Sequence, residues 1–458
     1  MDEIESHLIK KYDVAGPRYT SYPTAMQFNV EFTESSYRQQ AEKSNQRHKN
    51  LSLYFHLPFC DTICYYCACN KIVTKDRNKA KPYLDALHRE ILMQSQLFDK
   101  SRVVKQLHWG GGTPTFISHQ QMIGLMGETR KHFNLLSDDS GEYSIEIDPR
   151  EVSRESIRLL RDIGFNRMSL GVQDFDLNVQ KAVNRIQPEE QTLNAIDSAQ
   201  AFGFKSISTD LIYGLPFQTP ESFTTTLTRI IKISPDRISL FNYAHMPKLF
   251  KPQRRISVDD MPSANMKIQI LKQSIQQLTQ AGYVYIGMDH FAKPDDELSI
   301  AQQQGKLYRN FQGYATHADC DLVGMGVSSI GSVNQCFSQN VKSLNEYVSL
   351  INQKKLPIFR GVIINDDDLL RRDIIMQLIC HFNLVFNEIE KKFKINFKKY
   401  FSHELKQLSE LQNDELVEIK NDSIYVTAKG RLFIRNICMV FDQYISKDTL
   451  QSKYSNVI

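Results

Sequence analysis

From Leu51 the chain repeats one unit: a short β-branched or aromatic run, a turn, then a longer amphipathic stretch. The runs at 51–56, 103–109, 143–148, 167–172, 206–213 and 237–243 have the composition of strands. The stretches at 80–97, 118–133, 153–163, 188–202 and 221–231 carry helical periodicity. Strands alternating with helices require a parallel sheet with right-handed crossovers. Six units fall short of the eight that close a full barrel, so the expected fold is α/β, an open three-quarter (β/α)6 barrel of the TIM type. Such sheets place their sites at the carboxyl ends of the strands. Here every strand ends in polar or glycine-rich chemistry: a cysteine loop, Gly110-Gly111-Gly112-Thr113, Glu146 with Asp148, Gln173-Asp174, Asp210, and Asn242 through His245. Taken together they describe one cleft mouth.

The cysteine loop is the sharpest of these. Four of the eight cysteines, Cys60, Cys64, Cys67 and Cys69, fall within ten residues, the first three spaced C-x3-C-x2-C. Thiolates are soft ligands suited to zinc, copper(I) or iron–sulfur clusters. Structural zinc usually draws on two separated pairs, and no second pair follows downstream. Three thiolates on one loop fit three irons of a four-iron, four-sulfur cluster and leave the fourth iron open to another ligand. A zinc knuckle or a set of free core thiols is the plainer alternative. Cys320, Cys336, Cys380 and Cys438 are scattered and read as inert core thiols.

Composition excludes several other classes. A net charge of +4 over 458 residues implies no bulk attraction to nucleic acid or membrane. With 41% hydrophobic and 24% charged residues the chain reads as an ordinary soluble protein of two or three domains. The acidic start lacks the apolar core of a signal peptide, and no run is long enough to span a membrane. Cysteines gathered in a metal-type loop suit a reducing compartment, and the expected location is the cytoplasm.

Residues 1–50 form an N-terminal extension, expected to cover the active site. Its segment 11–25 holds two prolines, three tyrosines and an arginine, which bars a regular helix and suits a strap across the domain surface. Residues 51–360 form the core barrel. Within them, 298–311 reads as a polar helix, and the glycine-bearing run 324–332 either closes the open flank or passes near the ligand. Residues 361–458 form a mostly helical domain, with helices at 366–382, 400–411 and 429–445 and a hairpin of 417–420 with 423–427. Helices with a hairpin resemble a winged helix. Its last helix reads as a packed core helix, so no nucleic-acid partner is expected.

The cysteine spacing, with Tyr66 before the third cysteine, resembles the cluster loop of the radical S-adenosylmethionine (radical SAM) enzymes. The wider set of motifs resembles one family among them, the oxygen-independent coproporphyrinogen III oxidases. Those motifs are 16–25, the loop from Cys60 to Lys71, His108-Trp109-Gly110-Gly111-Gly112-Thr113-Pro114-Thr115, and Gly171-Val172-Gln173-Asp174-Phe175. They continue with Asp210 to Pro216, Phe241 to His245, Gly287 to Ala292, and Val426 to Arg431. Ala68 departs from the family's usual glycine, and is tolerable unless that residue needs a positive φ.

The resemblance implies oxidative decarboxylation of two propionate side chains of coproporphyrinogen III to vinyl groups, giving protoporphyrinogen IX in haem biosynthesis. It implies a 4Fe-4S cluster on Cys60, Cys64 and Cys67. It also implies two S-adenosylmethionine molecules: one on the open iron, touching Tyr54, Gly111, Glu146, Ala244 and Ile330, and a second touching Tyr66, Gly112, Thr113, Gln173, Arg185 and Asp210. The three glycines are equally compatible with a mere strand-to-helix turn. Cys69 would have a catalytic role on the substrate side. A reductase or flavodoxin-like protein would feed electrons to a monomer. Two rivals stand beside this reading. Haem-binding chaperones of the same superfamily look different at Cys69 and lack the segment 16–25, and a zinc-stabilised winged-helix regulator would be colourless.

Overall fold

The structure is a computed structural model and describes residues 6–445 and 454–457. Six parallel strands stand side by side in sequence order: β1 (Leu51–Leu57), β2 (Val103–Gly111), β3 (Glu142–Ile147), β4 (Arg167–Gln173), β5 (Ser206–Tyr213) and β6 (Arg237–Asn242). Between them run helices Ala80–Ser95, His119–His132, Arg154–Asp162, Glu189–Ala201 and Pro220–Ile233. Ser118 and Thr219 head capping boxes, and Ser153 accepts from the Ser156 amide, so three of these starts are fixed by side chains that satisfy orphan amides. One face of the sheet packs on these helices, with Leu53, Phe55, Leu107, Trp109, Ile145 and Leu170 fully buried. The other face lines the lumen.

Both edges of this six-stranded run are extended. Beyond β6 lie the antiparallel β7 (Val284–Gly287) and β8 (His290–Ala292), with β8 paired to β6. A separate hairpin follows, β9 (Tyr308–Asn310) and β10 (Gly313–Ala315). Next to β1, on its other side, runs the parallel β11 (Asp321–Met325), continued by β12 (Ile330–Val333), β13 (Cys336–Asn340) and β14 (Ile358–Ile363). Among the described residues β7 and β14 end the sheet without pairing to each other, so it stays open. The run 324–332 thus extends the β1 flank and turns into β12. The helix expected over 298–311 is only Glu297–Gln303. It stops because Gly305 takes a positive φ and the Lys306 amide bonds back to the Ala301 carbonyl, freeing the chain to form β9.

The β11 flank is bolted to the barrel by buried polar groups. Arg102 donates to Asp321 at 2.6 Å, and Ser44 and the Asn334 amide also bond this carboxylate. On helix Ala80–Ser95, Glu90 accepts from Tyr347 Oη at 2.5 Å, the Gly326 amide at 2.7 Å and Asn340 Nδ2 at 2.9 Å.

After β14 the chain becomes helical. Helices Asp366–His381 and Ser402–Asn413 pack with a three-stranded antiparallel sheet, β15 (Asn383–Val385), β16 (Val417–Ile419) and β17 (Ser423–Val426). The helix expected over 429–445 is instead a 3-10 turn, Gly430–Phe433, and a short helix, Ile434–Met439. Past Met439 the amides of Val440, Phe441 and Asp442 bond three residues back and tighten the chain to a stop. That stop presents Asp442 to Tyr19 Oη at 3.0 Å, a tertiary bond that helical propensity cannot foresee. Tyr19, Tyr22 and the helix Ser6–Tyr12 share one core with this region. Arg435 is buried and donates to the carbonyls of Gly16, Pro17, Asn456 and Val457, tying the segment 16–25 in place. Ala15 also bridges Asn456.

Candidate active site

The cysteine loop hangs from the carboxyl end of β1. A two-residue parallel pairing, Phe59 with Ile72 and Cys60 with Val73, pinches its two ends together. Inside the loop Lys71 Nζ donates to the Cys67 carbonyl at 2.9 Å, and Gln253 Nε2 reaches the Tyr66 carbonyl at 2.9 Å and the Ala244 carbonyl at 3.1 Å. Ala68 is not in a positive-φ conformation, which is why a methyl group fits there.

A cavity of about 180 Å³ opens where the loop meets the strand ends. Cys60, Cys64, Cys67 and Cys69 line it together with Tyr66, Gly111, Gly112, Thr113, Glu146, Gln173, Arg185 and Asp210. Twelve residues singled out in the sequence therefore meet in one place. Tyr54 and Ile330 line a larger neighbouring cavity of about 590 Å³, which shares Glu146, Ser169 and Asp210 with the first. Ala244 is set apart, on the wall of a third cavity with Arg18, His245 and Lys267. Its link to the cysteine loop is the Gln253 bridge.

The glycine turn is shaped by close approach. Gly111 has φ +120°, and a Cβ there would stand 2.8 Å from the His56 ring. At Gly112 a Cβ would stand 2.6 Å from the Phe59 carbonyl oxygen. The amides of Gly112 and Thr113 bond the carbonyls of Leu57 and Phe59 at 2.8 and 2.7 Å, so glycine lets the turn lie flat against the root of the cysteine loop. The Gly111 amide donates to Glu146 at 3.0 Å.

The charges around the cavity are ordered. Burial works to raise Glu146, but His108 at 3.3 Å and the Gly111 amide hold its carboxyl below the usual carboxylate range. Asp148 is likewise held low against burial by Arg185 at 2.9 Å and Arg150 at 2.7 Å. Asp210 moves the other way, pushed up to about 6 by burial and by the nearby Glu146, while it accepts from Ser169 Oγ at 2.9 Å. Arg185 Nη1 and Arg150 Nη2 lie 3.6 and 3.7 Å from Cys64 Sγ. Cys67 is drawn down to about 6, first by the Cys69 thiol that donates to it, and Cys69 is correspondingly pushed well up. Burial pushes the Cys60 thiol to about 12.

This donor set fits an iron–sulfur cluster. Three sulfurs face one cavity walled by two guanidiniums and a lysine, an electropositive setting that favours thiolates and an anionic cluster. Among the described residues no group of His, Cys, Asp or Glu is gathered to hold a single metal ion. Arg150 went unremarked in the sequence. It stands two residues beyond Asp148, which was read there, and that adjacency was the available signal.

Comparison with known proteins agrees with this geometry. Residues 54–230 match the radical SAM superfamily, and residues 364–433 match the HemN C-terminal domain. The chain is 51% identical over 454 residues to the oxygen-independent coproporphyrinogen III oxidase of Pseudomonas aeruginosa, covering 99% of this chain and 98% of that one. It is 49% identical to the Escherichia coli protein of the same name, with 98% of each chain covered. The solved structure of E. coli coproporphyrinogen III oxidase (HemN), described as a radical SAM enzyme, superposes with a TM-score of 0.91 at 48% identity, over 97% of this chain and 99% of that one. A cysteine loop of this spacing at the mouth of an open β/α sheet, joined to near-complete similarity along the chain, places it in the oxygen-independent coproporphyrinogen III oxidase family of radical SAM enzymes.

Proposed function

We propose that this chain converts two propionate arms of coproporphyrinogen III to vinyl groups, with Cys60, Cys64 and Cys67 holding a 4Fe-4S cluster and two S-adenosylmethionine molecules bound beside it. The observation that carries this reading is the single cavity shared by the three loop cysteines, the glycine turn, Glu146 and Arg185. When bound, the cluster and S-adenosylmethionine supply a 5′-deoxyadenosyl radical able to take a hydrogen atom from the β-carbon of a propionate. Loss of that hydrogen atom, carbon dioxide and one electron from a carboxylate arm leaves a vinyl group.

The protein binds, orients and shields. Glu146, kept ionised by His108 and Gly111, suits the amino group of the cluster-bound molecule. Tyr54, Gly111 and Ile330 complete its surroundings, and Ala244 contributes from the far side through Gln253. Arg185 suits a carboxylate of the second molecule, with Tyr66, Gly112, Thr113, Gln173 and Asp210 around it. Cys69 lines the same cavity, and a role on the substrate side in place of ligation leaves the open iron free for S-adenosylmethionine.

We read residues 1–50 as the cover of this site, 51–360 as the core and 361–458 as the helical domain. The rest of the reading is a monomer in the cytoplasm, fed by a reductase or flavodoxin-like donor. The dedicated metal loop and the eight free cysteines support the reducing location. No helix among the described residues is long and apolar enough to cross a membrane.

The test is substrate deuterated at the propionate β-carbons, incubated without oxygen with S-adenosylmethionine and a strong reductant. Label is expected in 5′-deoxyadenosine, with a vinyl-bearing porphyrinogen as product. Label retained wholly in the porphyrinogen would overturn the mechanism.

A further inference from the structure

The larger cavity has a wall that the cofactors do not explain. It is formed by Arg18 from the N-terminal segment, Asp289 and His290 at β8, Arg309 on β9, and Tyr314 on β10. Arg309 is 3% exposed, and its Nε and Nη1 have no hydrogen-bond partner. Its nearest carboxylate is Asp289, 4.0 Å from Nη1, beyond hydrogen-bonding reach, and its guanidinium lies 4.7 Å over the Tyr314 ring. Asp289 is already engaged: His290 Nδ1 stands 2.6 Å from it and Arg18 Nη1 3.6 Å. Arg18 keeps its place by donating to the Asn242 carbonyl at 2.8 Å.

Two guanidiniums facing one carboxylate leave an excess positive charge. Arg309 in particular has given up water without gaining hydrogen bonds, which is costly unless an anion completes the site. The planar fork of arginine matches a carboxylate, which can take two parallel N–H bonds. Position selects which carboxylate. On the sheet His290 pairs with Ser239, and Ser239 with Asp210, so this wall stands level with the residue shared by the two cavities.

We infer that Arg309, assisted by Arg18, is a carboxylate anchor that seizes the propionate arm reaching toward the cofactor cavity. The inference rests on the tetrapyrrole reading of the substrate and assigns the residues that grip it. Asp289 sets the strength of that grip. It offsets one of the two guanidinium charges and remains as counter-charge when the arm departs as neutral carbon dioxide.

The experiment uses the full chain, reconstituted without oxygen, titrated with coproporphyrin III and separately with its tetramethyl ester, binding being read by porphyrin fluorescence. Wild type should prefer the acid. Arg309→Gln should weaken the acid roughly tenfold or more, the loss expected for charge-assisted hydrogen bonds, and leave the ester unchanged. Iron content should match wild type, and Arg309→Lys should recover part of the preference. Arg18→Gln, at a side chain about a third exposed, tests the same wall should Arg309→Gln lose its fold, and a smaller loss of acid preference is expected. Unchanged acid affinity in folded variants at both positions would overturn the anchor alone. Wild type that bound neither acid nor ester would overturn the substrate reading, and the anchor with it.

Discussion

Cys69 stands two residues beyond Cys67 and lines the same cavity, where its hydrogen bond to Cys67 works to raise its own pKa and lower that of Cys67. A fourth thiolate on the open iron would exclude S-adenosylmethionine, so the protonated form is the one compatible with turnover. Cys69→Ser should therefore keep wild-type iron and S-adenosylmethionine binding and lose most vinyl formation, as checked by iron analysis, equilibrium dialysis and product chromatography. Loss of iron would make Cys69 a ligand; full activity would make it structural. At this scale the sequence was most readable where chemistry is local. The cysteines, the glycines and Glu146 announce themselves by spacing or by place at a strand end. Arg309 does not. It lies in a polar stretch that reads as helix, and only the hairpin of β9 and β10 turns it into the cavity.

At the scale of elements, the six parallel strands and their helices fall within a few residues of where periodicity puts them, because each buries a full apolar face against its neighbours. Helix Glu34–Asn45 was invisible for the opposite reason. Its buried face is Tyr37, Gln40, Ala41 and Ser44, a helical stripe made largely of polar residues. Strand β11 read only as an apolar run with two possible places, since nothing in its own composition says which edge it joins. What seats it is Glu90, whose carboxyl is pushed up by burial to about 7, from an ordinary 4.5, despite three donors. The folded protein thus holds this proton more tightly than the unfolded chain. The stability it contributes is full below the ordinary value and is lost as pH rises through about 7. Glu90→Gln removes the titration. Whatever fixed cost the amide brings, the gap in stability between variant and wild type should move in the variant's favour by about 2 kcal/mol from about pH 5.5 to about pH 8. Thermal melts of both proteins at the two pH values would show it, and a gap independent of pH would assign the tightness of this site to its hydrogen bonds alone.

For the whole molecule, the decisive contact is the one between its ends. Arg435, on the short helix Ile434–Met439, donates to Gly16 and Pro17 on one side and to Asn456 and Val457 on the other. No carboxylate lies within salt-bridge distance of it among the described residues, and burial with the nearby Arg18 lowers its pKa to about 9. Arg435→Met would leave four carbonyls without their donor and free the segment that carries Arg18. Limited proteolysis should then cut ahead of helix Glu34–Asn45 faster than in wild type, while the barrel persists and iron content is unchanged. Equal cleavage rates would mean that Tyr19 and Tyr22, packed in the helical core, hold the segment without it.

The bridge between Ala15 and Asn456 also sets an order of events. During synthesis the cysteine loop emerges long before the partners that seat the strap, Ser455 to Val457. A contact of that separation cannot form before its second half exists, and closing so long a loop is slow. The segment 16–25 is therefore left without this clasp until residues 455–457 have been made, well after the cysteine loop.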